Sequence, residues 1–307
     1  MGGRDRSGLR QGRKAVVTVG VFDGVHLGHK RILEEVVLLA RGLRARSVVV
    51  TFDPHPVAVL NPGEAPAMLT TVRERLDLIA AEGISETLVM RFGAKLAARD
   101  AEWFVRHVLL GRLGMGRLVI GYDFRFGRGR EGGARGLETL GEAMGFGVDI
   151  VPPVKLGGHP VSSTRARTAL ARGDVRSAAA MLGRPYQVSG RVVRGEGRGR
   201  RLGFPTANLQ PGDIGKMVPG DGVYAAEAGS RGRLRPALVY VGARPTYGVG
   251  ARGIEVHILD AGVNLYGESL RVRFIDRLRG EKTFASEAAL RRAMLADRRR
   301  LETVIGK

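Results

Sequence analysis

Several short stretches of this 307-residue chain pair residue types and spacings that suit phosphate chemistry. The first is Val19-Gly-Val-Phe-Asp-Gly-Val-His-Leu-Gly-His29. The apolar run from Ala15 to Val19 predicts a buried strand, and Ile32, Val36, Val37, Leu39 and Ala40 recur at helical spacing. A strand, a glycine turn and a helix start place His26 and His29 beside free backbone N–H groups, where the helix dipole favours phosphate. Gly20, Phe22 and Asp23 belong to that turn, and Gly28 is expected to let a substrate come close to the backbone. The imidazoles can donate to oxygens that gain charge during transfer. The alternative is a pair of polar histidines on a surface turn.

Gly121-Tyr-Asp-Phe-Arg-Phe-Gly127 follows an apolar strand pattern. Phe124 and Phe126 can flank a ring while Arg125 faces phosphate; an edge strand with packed aromatics is the alternative. The overlapping Gly127-Arg-Gly-Arg-Glu-Gly132 spells a dinucleotide fingerprint, but its glycines do not follow a strand directly, so it is rejected. Ser162-Ser-Thr-Arg-Ala-Arg167 opens a helix, with Ser163 and Thr164 at its start and Arg167 one turn in. A hydroxyl cap needs no function. Beside the histidine motif, the group suits a second phosphate clamp, since arginine grips phosphate in a bidentate way. Further on, Gly195, Arg198, Gly199, Arg200 and Gly203 lie in a glycine- and arginine-rich loop whose N–H groups can form an anion nest. It runs into Phe204-Pro-Thr-Ala-Asn-Leu209, where Thr206 and Asn208 offer oxygen ligands to a hard cation. No Walker A sequence occurs, which argues against a P-loop kinase. Glu255, within Gly-Ile-Glu-Val-His-Ile-Leu259, either faces solvent or serves as the base for an attacking alcohol. His257 shares its face and is a structural or a catalytic partner.

The elements that must carry these groups fall into two kinds. Ser47–Phe52, Thr87–Met90, Leu118–Gly121 and Val148–Val151 read as strands alternating with helical patterns at Thr71–Glu82, Ala101–Leu110 and Leu137–Met144. That order predicts a parallel α/β sheet with its ligand at the C-terminal strand ends. Two helical patterns follow, Thr164–Ala171 and Val175–Leu182. Beyond Gly183-Arg-Pro185 come short alternating segments at Gln187–Val193, Gly222–Ala226, Ala237–Val241, Ile254–Leu259 and Leu270–Phe274, which suit an antiparallel sandwich or barrel. A last helix, Ser286–Ile305, is expected to carry Leu290, Met294, Leu295 and Leu301 on one side. The expected division is a disordered basic lead-in over 1–14, one domain over 15–184 and another over 185–307.

Formal net charge is +20, spread over both halves. Such an excess attracts anionic nucleotides. RNA binding as the main task is disfavoured, because no zinc-finger, RNP or basic-zipper pattern accompanies it. There is no cysteine, which removes disulfides, thiolate nucleophiles and cysteine-bound zinc and fits a cytoplasmic protein. No apolar run nears the roughly 20 residues of a membrane span, and no secretory leader is read at the N-terminus.

The histidine motif, Gly121–Gly127 and Ser162–Arg167 together resemble the nucleotidyltransferase half of the bacterial bifunctional riboflavin kinase/FAD synthetase family. Leu182-Gly-Arg-Pro-Tyr186, Gly199–Leu209, Gly222-Val-Tyr224, Arg244-Pro-Thr-Tyr247, Glu255–Leu259 and Leu265-Tyr-Gly267 resemble its flavokinase half. The resemblance implies a Rossmann-like α/β domain followed by an antiparallel six-stranded β-barrel with a C-terminal helix. It implies ATP-dependent phosphorylation of riboflavin to FMN in the barrel, then joining of AMP to FMN with release of pyrophosphate, giving FAD. Glu255 would be the kinase base, with Thr206 and Asn208 at Mg²⁺. His26, His29 and Arg167 would stabilise the α-phosphate transition state, and Asp123 stands where the family places a polar residue near the nucleotide. Phe52, Phe124, Phe126, Asn208 and Tyr247 would contact flavin. A monomer or weak homo-oligomer is expected. Tyr240-Val-Gly242, Ala261 and Asn264 depart from the family pattern and put flavin packing in question. The competing readings are an arginine-rich RNA-binding protein on an old scaffold, and a chain retaining one activity of the two.

Overall fold

The computed structural model describes residues 14–127, 133–194, 203–213, 215–230, 232–243, 252–259 and 265–306. The chain divides into two compact units, Met1–Pro66 with Thr70–Val161, and Ala67–Leu69 with Ser162–Lys307.

In the first unit, β1 (Ala15–Val19) leads into α1 (Leu27–Gly42) and β2 (Arg46–Asp53). Pro56 then opens the short α2 (Pro56–Leu60), before α3 (Val72–Ala81) and β3 (Glu86–Arg91). Next come α4 (Ala94–Ala97), α5 (Ala101–Phe104), β4 (Met115–Gly121), α6 (Ala134–Met144) and β5 (Gly147–Val151). The five strands form a parallel sheet in the order β3-β2-β1-β4-β5. Each central strand carries a buried apolar run because its two faces meet different cores. Val16, Val49 and Val119 pack with Leu33, Val36 and Ala40 of α1 and Ile79 of α3. Ala15, Val17, Val48, Val50, Leu118 and Ile120 point the other way, toward Val105, Val108, Leu109 and Leu137. The helix expected over Ala101–Leu110 changes character after one turn, continuing as a π-helical stretch from Val105 to Arg112. This wider winding puts Val105, Val108 and Leu109 into the core together. A small hairpin, β6 (Lys155–Leu156) with β7 (His159–Pro160), turns through Gly157 and Gly158, both at positive φ. Its strands are too short for a sequence pattern to reveal.

The second unit begins with α7 (Ser163–Ala171) and α8 (Val175–Leu182), which stops at Gly183 in the left-handed conformation. Six antiparallel strands follow: β8 (Tyr186–Val193), β9 (Ala207–Pro211), β10 (Gly222–Ser230), β11 (Arg233–Ala243), β12 (Arg252–Ile258) and β13 (Ser269–Arg279). They close into a barrel in the order β10-β11-β12-β9-β8-β13. Closure leaves no open edge, and side chains such as Tyr224, Val239, Val256, Val272 and Phe274 are buried. On the opposite face, Val223, Ala225, Leu238 and Leu278 meet Leu301 of α9 (Glu287–Ile305). Leu295 does not share that apolar side as expected: it is exposed, whereas Asp297 is buried as the partner of Arg279. The packing division falls at Val161/Ser162, ahead of the change in sequence character near Gly183. Helices α7 and α8 are tied to the barrel's own chain, through Gly220 N–H to the Leu170 carbonyl at 2.7 Å and Arg176 to Asp276 at 2.9 Å.

Candidate active sites

The turn between β1 and α1 contains Phe22 at φ 53° and Val25 at φ 39°, left-handed values that side chains rarely adopt. Such strain persists only where neighbours over-determine it. Here Asp23 Oδ1 accepts from both the amide and the hydroxyl of Thr70, each at 2.9 Å, and Gly24 N–H donates to that hydroxyl at 3.0 Å. Asp23 is therefore committed, through this oxygen, to holding the turn. The Phe22 ring lies over Gly20, where a Cβ would meet it at 3.1 Å.

His26 caps α1. Its Nδ1 accepts from the His29 amide at 3.2 Å, which leaves the proton of a neutral ring on Nε2. The two imidazoles stack 3.6 Å apart, and the Phe22 ring meets His29 edge-on at 5.1 Å. Gly28 has a reason other than substrate approach: a Cβ there would stand 3.2 Å from the His26 ring and disturb the stack. Burial, and secondarily His26, holds the His29 imidazolium well below the ordinary histidine range. His29 Nδ1 is buried without a hydrogen-bond partner. An unpaired buried polar atom costs about 1–3 kcal/mol, and a bound ligand is one means of offsetting it.

The aromatics suggested for flavin are brought together. Phe52 at the end of β2 touches Phe104 (6.4 Å between centroids), Phe104 touches Phe126 (5.8 Å), and Phe126 touches Phe124 (5.3 Å). All but Phe104 are half-buried. Asp123 and Arg125, alternating with these rings, are exposed. Ser163, Thr164 and Arg167 belong to the second unit, at the start of α7. Ser162 caps this helix on the Arg165 amide, and Arg167 Nε donates to the Ala67 carbonyl at 2.8 Å.

Within the barrel, β9 and β12 pair so that Asn208 lies opposite Glu255. Thr206, two residues before Asn208, donates its hydroxyl to Glu255 Oε2 at 3.2 Å. Glu255 is half-buried and alternates with the buried Ile254 and Val256, so its carboxylate is neither in the barrel interior nor fully in solvent. Three oxygen-bearing side chains thus share one locality. Among the described residues, no group of three His, Cys, Asp or Glu could hold a metal unaided. A hydroxyl and an amide oxygen still fit Mg²⁺, which is usually held by few protein oxygens and completed by phosphate. His257 is structural in its contacts: it is buried, its Nδ1 stands 2.8 Å from the Pro205 carbonyl, and its ring meets Phe204 edge-on. On the other side of β12, Tyr240 is the register partner of Glu255 and donates its hydroxyl to Glu281 at 2.5 Å. Burial, then the bond to Glu281, raises the Tyr240 phenol above its ordinary value.

Gly195, Arg198, Gly199, Arg200, Tyr247, Ala261 and Asn264 lie outside the described residues; Gly203 is within them, at φ 81°. Sequence reasoning did not single out Thr70 or Arg75, which are polar and buried and bind the turn near the histidines. Thr70 stands beside a helix cap, where a hydroxyl looks ordinary. Arg75 sits in a helix with solvent-facing charges, and nothing in its spacing distinguishes it.

A family model described as FAD synthetase matches residues 9–165, and one described as riboflavin kinase matches residues 182–305. A bifunctional riboflavin kinase/FMN adenylyltransferase of Pseudomonas fluorescens is 40% identical over 286 residues, covering 93% of this chain and 91% of its own. The protein of the same description from Escherichia coli (strain K12) is 37% identical over 284 residues, 92% of this chain and 90% of its own. A crystal structure from Streptococcus pneumoniae, described as a macrolide-efflux protein, matches with a TM-score of 0.87 at 31% identity over 95% of each chain. No helix among the described residues here is long and apolar enough to cross a membrane.

Proposed function

We propose that this chain, which belongs to the bifunctional riboflavin kinase/FMN adenylyltransferase family, carries out both reactions in turn. Riboflavin and ATP give FMN and ADP; FMN and a second ATP then give FAD and pyrophosphate. The kinase reaction is assigned to a module over 185–307 and the adenylyl transfer to one over 15–184.

In the kinase, Glu255 takes the proton from the ribityl hydroxyl as its oxygen attacks the γ-phosphorus, and ADP leaves. The observation that carries this reading is the Thr206–Glu255 hydrogen bond, which joins residues 49 apart in sequence beside Asn208. Thr206 and Asn208 would hold Mg²⁺, which when bound neutralises phosphate charge. The loop glycines and arginines from Gly195 to Gly203 are assigned to the triphosphate, and Asn208 and Tyr247 to the flavin.

In adenylyl transfer, a phosphate oxygen of FMN attacks the α-phosphorus of ATP. His26, donating through Nε2–H, and the neutral His29 stabilise the charge that develops there. Gly20, Phe22, Asp23 and Gly28 shape the turn that presents them. Arg167, Ser163, Thr164 and Asp123 are assigned to ATP. The row Phe52, Phe126 and Phe124 offers the isoalloxazine ring an apolar edge. We place the reactions in the cytoplasm, with its supply of ATP and Mg²⁺. The excess positive charge serves anionic nucleotides rather than a nucleic acid, and a monomer or weak homo-oligomer is expected.

The test is a time course with riboflavin, ATP and Mg²⁺, resolved by flavin chromatography. FMN should rise first and FAD after it. His29→Ala should stop the sequence at FMN. Glu255→Ala should lower FMN formation by about 10²- to 10⁴-fold, the usual range for a general base, yet leave FAD synthesis from supplied FMN. Loss of both steps in either folded variant would refute the assignment of separate sites.

A further inference from the structure

Arg75 is the largest fully buried side chain of the described residues, with 1% of its surface exposed. It lies in the first turns of α3. Its Nη1 donates to the Val21 carbonyl at 3.0 Å and its Nη2 to the Phe52 carbonyl at 2.9 Å. Both acceptors lie where the chain leaves the sheet. Val21 begins the strained turn that ends in His26 and His29; Phe52 closes β2 and starts the aromatic row. Val21 O also accepts from Thr51 Oγ1 at 3.0 Å, so two donors from different elements converge on this one carbonyl.

A guanidinium is a costly choice for such a place. Desolvation of a buried cation is seldom recovered by its contacts, and an apolar side chain of similar volume is often as stable or more so. Burial does weaken the charged form here, although Asp23 and Asp53 oppose that effect. Arg75 Nε is buried with no hydrogen-bond partner, so the group is not fully satisfied either. What the planar fork supplies is geometry: two donors at fixed separation, which neither a lysine nor an apolar residue can reproduce.

We infer that Arg75 is a positioning residue for adenylyl transfer, fixing the histidine turn and the Phe52 end of β2 relative to one another. This rests on the assignment of His26 and His29 to that reaction. Arg75 touches no reacting atom; it acts through Val21 and Phe52, and through them sets where the imidazoles and the ring platform stand.

The experiment uses full-length Arg75→Met and Arg75→Lys. FAD formation from supplied FMN, ATP and Mg²⁺ is measured beside riboflavin phosphorylation in the same preparation. A misplacement of roughly 1 Å can cost about 100-fold in rate, so Arg75→Met should lower kcat and kcat/KM for FAD formation together by about that factor. KM for FMN and ATP should stay nearly unchanged, as should riboflavin phosphorylation. Arg75→Lys keeps the charge without the fork and should recover only part of the rate. A folded Arg75→Met with unchanged kcat, or with a change in KM alone, would overturn the inference. If Arg75→Met fails to fold, Arg75→Lys decides the matter, and wild-type kcat in that variant overturns it equally. His29→Ala run in parallel separates the two ideas: if it also leaves FAD formation intact, the assignment of the histidines has failed instead.

Discussion

The neutral state of His29 has a consequence that pH can read. In the unfolded chain a histidine titrates near its ordinary value of about 6.5; in the fold, burial and His26 push His29 well below that. Between the two values the unfolded state binds more protons, so stability rises with pH through this window, falls as acid is added through it, and levels off once both states are protonated. Urea unfolding of the first unit should accordingly show a lower midpoint at pH 5.5 than at pH 7.5, and His29→Phe should flatten that difference. An equal slope in the variant would show that His29 is not the group responsible. The histidine pair was legible in the sequence because its spacing is local: a cap and a residue three further on share one turn. Glu255 was visible only as a choice between solvent and site, because its partner Thr206, just ahead of β9, is 49 residues away in sequence. Thr70 and Arg75 were not legible, since their roles exist only once α3 is laid across the ends of β1 and β2.

Elements were readable where one physical rule dominates. The apolar runs of β1, β2 and β4 and the alternation along β8, β10 and β11 each reflect a strand with two cores or one. β9 was missed, because Ala207–Pro211 is short and its polar residues read as a binding motif; it proved to be both a strand and the carrier of Asn208. Gly127 shows how an element fixes a site from outside it. It sits at φ 79°, and a Cβ would stand 2.8 Å from the Ala101 amide nitrogen at the start of α5. This glycine therefore ends the Phe124–Phe126 segment flush against the helix that supplies Phe104. Gly127→Ala should cost at least the 1–2 kcal/mol typical of a left-handed L-residue, since backbone must also shift. The expected signature is weaker FMN binding in adenylyl transfer with riboflavin phosphorylation intact. Unchanged KM for FMN and unchanged thermal stability would show that the loop accommodates the methyl freely.

At the scale of the whole molecule, two chemistries reside in one chain, each with a core of its own: a parallel sheet between two helical layers, and a closed barrel backed by α9. Neither core borrows its buried strands from the other unit, so a substitution at one site should leave the other folded and working. FMN is the product of one reaction and the substrate of the next, a phosphorylated and freely soluble molecule. It follows that the two activities need not reside in the same copy of the chain. An equimolar mixture of His29→Ala, which retains the kinase, and Glu255→Ala, which retains adenylyl transfer, should convert riboflavin fully to FAD. Neither variant alone should do so. In the mixture FMN must accumulate in solution before FAD appears, so the lag should lengthen as the protein is diluted. The measurement is the flavin time course at two protein concentrations. Absence of FAD from the mixture, with each variant shown to keep its own half-reaction, would mean that FMN does not leave the chain that makes it.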